Sequence, residues 1–315
     1  MRQHAVFFRT CLHAVLLAAV LLAVACKGST ESGEKLRSAY YWSTTWQTDS
    51  TQQAFLSTHD IKKIYLRFFD VVVDPSGNVM PNATVRFATP VAPGMEYVPT
   101  VFIVNDCFDK DTGQLDQLLL RRILQICETH DVTGVKEIQI DCDWTQRTQK
   151  AYFAMLQRLR DAAHEKGIQL SATIRLHQLS LPVPPVDKGV LMMYNTGDVA
   201  NIHKNPILDI DDAAPYMRHL KDYRLPLSTA YPVFAWQLLV RHNHFVGIMH
   251  GDDDLPVLPG DTILTREASP DTVVMVRKAI DRLRPDANDE TILFDISNKN
   301  IDRIKQLHYE KIFNH

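Results

Sequence analysis

The sequence carries neither G-x-G-x-x-G nor G-x-x-x-x-G-K-[ST], and glycine is scarce, with 12 residues in 315. Phosphate cradles built on glycine-rich loops are therefore not expected. A basic excess is also missing: 34 Lys and Arg against 37 Asp and Glu leave a net charge of −3. Nucleic-acid binding usually needs a basic patch or a high pI, so no nucleic-acid partner is expected. No serine sits in a G-x-S-x-G elbow. The five cysteines, Cys11, Cys26, Cys107, Cys127 and Cys142, include no C-x-x-C pair, which argues against zinc. His242-Asn243-His244 offers two imidazoles, and His250 with Asp252–Asp254 lacks EF-hand spacing. Neither metal nor cofactor is expected. With 45% hydrophobic and 23% charged residues the chain has ordinary globular usage, which excludes disorder, collagen and a coiled coil.

One long apolar run is present, Leu12 to Ala25, interrupted only by His13 and preceded by Arg2 and Arg9. It falls short of the roughly 20 residues of a membrane span and has the layout of a secretory signal. Leu22-Ala23-Val24-Ala25-Cys26 resembles a bacterial lipobox, whose cysteine becomes the lipidated N-terminus. Ala23 stands where that pattern prefers leucine. The expectation is a signal peptide at 1–25, lipidation at Cys26, a polar tether over 26–37 and one domain over 38–315. Plain secretion after Ala25 is the alternative. The expected location is the cell envelope, lipid-anchored to a bacterial membrane on its periplasmic or cell-surface side. Cys107, Cys127 and Cys142 remain, an odd number, and are expected as buried free thiols.

Beyond the tether, β-branched and aromatic runs alternate with helical stretches, the sign of parallel α/β architecture. Strands are expected near Ser38–Thr45, Lys63–Val73, Tyr97–Asn105, Val135–Asp143, Ile168–Leu176, Gly189–Tyr194, Leu225–Phe234 and Thr291–Ile296. Helices are expected after Asp49 or Ser50 and over Leu115–Glu128, Gln146–Lys166, Asp211–Tyr223, Pro270–Leu283 and Asn300–Ile312. The proline-rich connections Asp74–Glu96 and Leu179–Lys188 lack helices. Trp236–Arg241 and Phe245–Met249 read as an inserted hairpin. Eight strands fit an irregular (β/α)8 TIM barrel with a β-hairpin insertion after strand 7, rather than a doubly wound open sheet.

Barrel active sites lie at the C-terminal strand ends. Those ends carry Asp70, Asn105 and Asp106, Asp141 and Asp143, Arg175 and His177, Tyr194 and Asn195, Trp236, and Asp295. In Glu137–Thr145, alternation turns Gln139, Asp141 and Asp143 inward and Ile138, Ile140 and Cys142 outward. Two carboxylates at i and i+2 push one pKa up, so that one donates a proton while the other stays charged. Asp143 is the leading acid/base candidate, with Asp141 setting its pKa. Asp70, Asp106 or Asp295 could supply a competing acid from across the barrel. Trp42, Trp46, Trp144 and Trp236 could stack on sugars or fill the core; Trp144 and Trp236 flank strand ends. His177 could act as a base or simply hold a hydrogen bond.

Ile140-Asp141-Cys142-Asp143-Trp144-Thr145 resembles the Asp-x-x-Asp-x-Asp-x-Glu signature of family 18 glycoside hydrolases. Met192-Met193-Tyr194-Asn195 resembles that family's Met-x-Tyr-Asp. Asp141, Asp143 and Tyr194 match. Ile138 replaces the first aspartate, Asn195 the last, and Thr145 the glutamate that the resemblance makes the catalytic acid. The mature chain also resembles a group of uncharacterised bacterial TIM-barrel lipoproteins, through Tyr40-Tyr41-Trp42, Arg67–Val71, Gln139–Asp143, Tyr152–Arg160 and Leu170–Ile174.

The reading is a cell-envelope lipoprotein with a glycoside hydrolase-like barrel that hydrolyses or binds a glycan or other polar small ligand. The alternative is a non-catalytic carbohydrate-binding or scaffold lipoprotein with a degenerate site. Catalytic candidates are Asp141, Asp143 and Tyr194. Substrate-binding candidates are Asp70, Asp106, Trp144, Arg175, His177, Asn195, Trp236 and Asp295.

Overall fold

A computed structural model describes residues 35–249 and 255–313. The expected signal peptide, Cys26, all but the last residues of the tether, and the group His250 with Asp252–Asp254 lie outside the described residues. Fourteen strands occur among those described, in chain order: β1 Leu36–Tyr41, β2 Thr45–Trp46, β3 Lys63–Val73, β4 Val79–Asn82, β5 Arg86–Phe87, β6 Glu96–Ile103, β7 Glu137–Asp141, β8 Gln169–Arg175, β9 Lys188–Met192, β10 Leu227–Pro232, β11 Ala235–Arg241, β12 His244–Met249, β13 Thr262–Glu267 and β14 Glu290–Phe294. Eight of them pair in parallel in the order β1-β3-β6-β7-β8-β9-β10-β14, and β14 returns to β1. The sheet is thus a closed TIM barrel. β4 lies outside the ring, antiparallel to β3.

The barrel strands follow the alternation of their sequence, apart from a register shift in β3 between Arg67 and Phe69. On β3, Ile64, Leu66 and Phe68 face the outer core, while Tyr65 faces the interior with Tyr40, Val98, Val190, Met192, Ala230 and Ile292. Ile138, Ile140 and Cys142 likewise join the outer core. Gly189 lets β9 approach its neighbours, since a Cβ there would meet Ile174 Cγ1 and Leu227 Cδ2 at 2.8 Å.

The helices pack outside. Asp49 caps helix Ser50–Thr58 through the Gln52 amide at 2.9 Å, and Ser269 caps Pro270–Leu283 through Thr272 at 3.1 Å. Gln149–His164 ends before Gly167, whose positive φ turns the chain into β8. Asp74–Glu96 carries β4 and β5 in place of a helix, and Leu179–Lys188 carries none. After β10 the expected hairpin is present as β11 and β12, with positive φ at His242 and Asn243 in its turn. β13 adds a third antiparallel strand that the sequence reading lacked. Cys107, Cys127 and Cys142 are buried and free.

The N-terminal end of the barrel is closed by charge. The first residues of β3, β7, β9 and β14 are Lys63, Glu137, Lys188 and Glu290. Lys63 Nζ donates to Glu137 Oε2 at 2.6 Å and lies 3.6 Å from Glu290; Lys188 also pairs with Glu290. Ser38, Ser228 and Tyr65 hydroxyls donate to the Glu290 carboxylate at 2.6, 2.8 and 3.1 Å. Burial would raise the Glu290 pKa, but Lys188 and Lys63 outweigh it and hold it down to about 2. A depressed carboxyl contributes stability that is complete above its usual 4.5 and lost as pH falls toward about 2. Glu290→Gln should therefore cost about 3–5 kcal/mol in urea unfolding at pH 7, because Lys188 loses its counter-charge and Lys63 loses one of its carboxylates. Its stability should also fall less steeply than that of the wild type over that acid window.

Candidate functional site

At the opposite end, the strand termini surround a cavity of about 600 Å³. Its aromatic wall is Trp42, Phe102, Tyr194, Phe234, Trp236 and Phe294. Tyr194 packs on Phe294 with ring centroids 4.8 Å apart, and Phe234 on Trp236 at 5.8 Å. Arg67, Asp141, Arg175, Asn195, Asp295, Lys299 and Asn300 supply the polar lining. A second cavity of about 340 Å³ shares Arg175, Tyr194 and Asn195 with the first and adds Asp143, His177 and Tyr216.

Arg175, at the end of β8, organises the polar part. Its Nη2 donates to Asp141 Oδ1 at 2.9 Å, its Nε to Asp143, and its Nη1 to the Tyr194 hydroxyl at 3.5 Å. Thr173, two residues earlier on the same face, donates to Asp141 Oδ1 at 2.6 Å. The backbone of Arg175 is held in turn: its N–H donates to Gln178 Oε1 at 2.8 Å, and Gln178 Nε2 donates to the Trp144 carbonyl at 3.0 Å. Burial opposes charge on this guanidinium, but Asp141, Tyr194 and Asp143 outweigh it and fix it as a cation. Burial raises the Asp141 pKa against the pull of Arg175 and Thr173. Burial also raises Tyr194, which keeps its phenol neutral.

The expected residues divide. Asp141, Tyr194, Arg175, Asn195, Trp236 and Asp295 come together in the larger cavity. Asp143 lies at the rim of the smaller one with its side chain 58% exposed and its carboxylate on Arg175. β7 ends at Asp141, so Asp143 belongs to the loop. His177 is exposed beside it, and partial desolvation of its ring lowers its pKa. Asp70 does not line the cavity; it forms a two-pronged pair with Arg67, whose Nε lies 2.9 Å from Asp70 Oδ1, and so sets where Arg67 points.

Two substrate-binding expectations need correcting. Trp144 is fully buried, packed on Phe153 at 5.0 Å and Tyr152 at 6.1 Å, because its side chain continues the outward series of Ile138, Ile140 and Cys142. Asp106 is exposed on the turn after β6 and lines neither cavity. Thr145, at the position of the family's acid, is exposed, and its hydroxyl lies 3.4 Å from that of Thr148.

The sequence reading missed Arg67, Phe102, Phe234, Phe294, Lys299 and Asn300 as cavity residues. The aromatic ones could have been found from strand alternation, since Phe294 stands two residues after inward Ile292 and four after inward Glu290. Lys299 and Asn300 were hidden because the last helix begins at Asn298, two residues earlier than expected.

Asp295 follows β14 across a cis Phe294–Asp295 peptide bond. Its Oδ1 accepts from Ser297 N–H at 3.4 Å and from Asn300 Nδ2. Burial raises its pKa against these donors.

The barrel resembles in fold solved structures of family 18 glycoside hydrolases. No family model and no curated protein matches the sequence. Solved structures match the fold. A chitinase from Chromobacterium violaceum is 14% identical over 86% of this chain and 98% of that one, with a TM-score of 0.54. A family 18 chitinase from Cycas revoluta, in complex with (GlcNAc)4, is 14% identical over 88% and 98%, with a TM-score of 0.57. The spore cortex-lytic enzyme SleL of Bacillus megaterium is 10% identical over 87% and 74%, with a TM-score of 0.52. The chain is a glycoside hydrolase-like barrel.

Replacing Arg175 tests the clamp. Arg175→Leu leaves Asp141 buried with Thr173 as its remaining donor, which should cost about 3–5 kcal/mol in urea unfolding at pH 7. The pKa of Asp141 should then climb further, so the deficit should shrink as pH is lowered and Asp141 takes up its proton.

Proposed function

We propose that this chain recognises a neutral, polyhydroxylated glycan at the C-terminal end of its barrel, as a lipid-anchored protein of a bacterial cell envelope. The observation that carries the reading is the cavity itself. Five rings, from Trp42, Tyr194, Phe234, Trp236 and Phe294, stand beside fixed hydrogen-bonding groups in about 600 Å³. Sugar rings present apolar C–H faces and hydroxyl edges, and such a wall offers a surface for each.

Charge favours a neutral guest. Arg67 and Arg175 already pair with Asp70 and with Asp141 and Asp143. What remains for a ligand is hydrogen bonding from Asn195, Tyr194 and the outer guanidinium edges, with one ammonium, Lys299, and one carboxyl, Asp295, on the same lining. Chitinases and a cortex-lytic enzyme share the fold, and one of them holds (GlcNAc)4. Thr145 cannot donate a proton as a carboxylic acid does, and Asp143 is engaged by Arg175. Recognition is therefore the activity this arrangement supports, without hydrolysis by the usual family 18 acid. Envelope anchoring rests on the leader and Cys26 in the sequence.

Two measurements check the reading. Calorimetric titration of the detergent-solubilised full-length chain with (GlcNAc)4 should show saturable binding, and Trp236→Ala should weaken it roughly tenfold, about 1.4 kcal/mol. Unchanged affinity in that variant would remove Trp236 from the site. Cells fed labelled palmitate should transfer label to the wild-type chain and none to Cys26→Ser; equal labelling would refute anchoring at Cys26.

A further inference from the structure

Four aspartates border the top of the barrel, and they differ in one respect. Asp70, Asp141 and Asp143 each pair with an arginine. Asp295 has no cation partner among the described residues, although it lines the same cavity as Asp141. Its Oδ1 accepts from Ser297 N–H and Asn300 Nδ2, and the Ser297 side chain adds a further hydrogen bond to the carboxyl. The loop that carries it is anchored at several points. Ile296 N–H donates to the Tyr40 carbonyl at 3.0 Å, and Gln52 Nε2 reaches the Ile296 carbonyl at 3.5 Å. Asn300 Nδ2 also donates to the Asp295 carbonyl at 3.1 Å.

We infer that Asp295 is the proton donor of this cavity and cleaves the bound glycan, in place of the carboxylic acid missing at Thr145. The inference rests on the glycan reading above. Burial without a cation favours the neutral acid, and the rise in its pKa follows from that placement. The other charged groups of the cavity are Arg67, Asp141, Arg175 and Lys299, of which the first three are already in ion pairs.

The Asp295 proton passes to the glycosidic oxygen, and the C1–O bond breaks with its electron pair going to that oxygen. The leaving sugar departs as an alcohol. Positive charge on the remaining ring is offset by the carboxylate that Asp295 becomes on giving up its proton. A water adds its oxygen to C1 and gives one proton to the Asp295 carboxylate, which restores the acid.

The test uses full-length chain in detergent with two probes, the tetrasaccharide and its dinitrophenyl glycoside counterpart, whose leaving group needs no proton. The wild type should cleave both. Asp295→Asn should lose about 10²–10⁴-fold on the tetrasaccharide, keep most activity on the aryl glycoside, and bind the tetrasaccharide within about threefold of wild type. Asn300→Ala removes a donor that favours the charged form, so its alkaline activity limb should move to higher pH. Binding without cleavage by the wild type would overturn the inference and leave recognition intact. Equal tetrasaccharide cleavage by Asp295→Asn, or an unmoved limb in Asn300→Ala, would also overturn it. Absence of binding would instead overturn the glycan reading itself.

Discussion

A carboxylate buried where β7 ends must be given partners or it will not stay charged, and the top of this barrel is arranged around that requirement. Thr173 and Arg175, both from β8, supply Asp141 with a hydroxyl and a guanidinium. The same guanidinium reaches Asp143 on the loop and Tyr194 beyond β9. Three consecutive barrel elements are tied by one side chain, and that side chain decides what the aspartates can do. With Arg175 between them, Asp141 and Asp143 share a cation rather than a proton. An ion-pair cluster stands where the sequence suggests two bare carboxylates. The chemistry left to the cavity shifts to groups that Arg175 does not touch.

The interior is layered by the same reasoning. Charge sits at the N-terminal end, where Lys63, Lys188, Glu137 and Glu290 neutralise one another out of water. Above it, Tyr40 and Tyr65 stack with centroids 4.8 Å apart, and Tyr40 donates to Gln139 at 2.6 Å. Gln139 then donates to Ser171 at 3.2 Å, which completes a satisfied polar layer inside an apolar one. The aromatic cavity rests on this floor. Its open end faces away from the charged plug, so ligand contacts and barrel stability are separated by the length of the strands.

Much of this was legible in the sequence because period-two alternation carries both the strand and the direction of each side chain. The eight barrel strands and the inserted hairpin are legible in that pattern, and the irregular connections in their prolines. The same alternation contains the correct place of Trp144, one step beyond outward Cys142, although its position beside a strand end suggests the cavity. β13 was not legible: Thr-Ile-Leu-Thr-Arg-Glu alternates weakly, and its pairing with β11 is a long-range contact that no local pattern announces. Arg67 was missed as a cavity group because its role depends on Asp70, three residues on, with a register shift between Arg67 and Phe69 separating them. In sequence Asp143 ranks first as the acid, and Asp295 stands only among the competing acids from across the barrel. What distinguishes them is the guanidinium that arrives from β8 at one and not at the other, which only the folded chain shows.

The central claim is that a glycan lies against the aromatic wall of the cavity above the Arg175 clamp. A crystal structure of the protein with the tetrasaccharide tests it most directly. The account predicts a sugar ring against Trp236 or Phe294, with hydroxyls within hydrogen-bond distance of Arg175, Tyr194 or Asp295. A sugar bound elsewhere on the surface, with this cavity filled by water alone at saturating ligand, would contradict it.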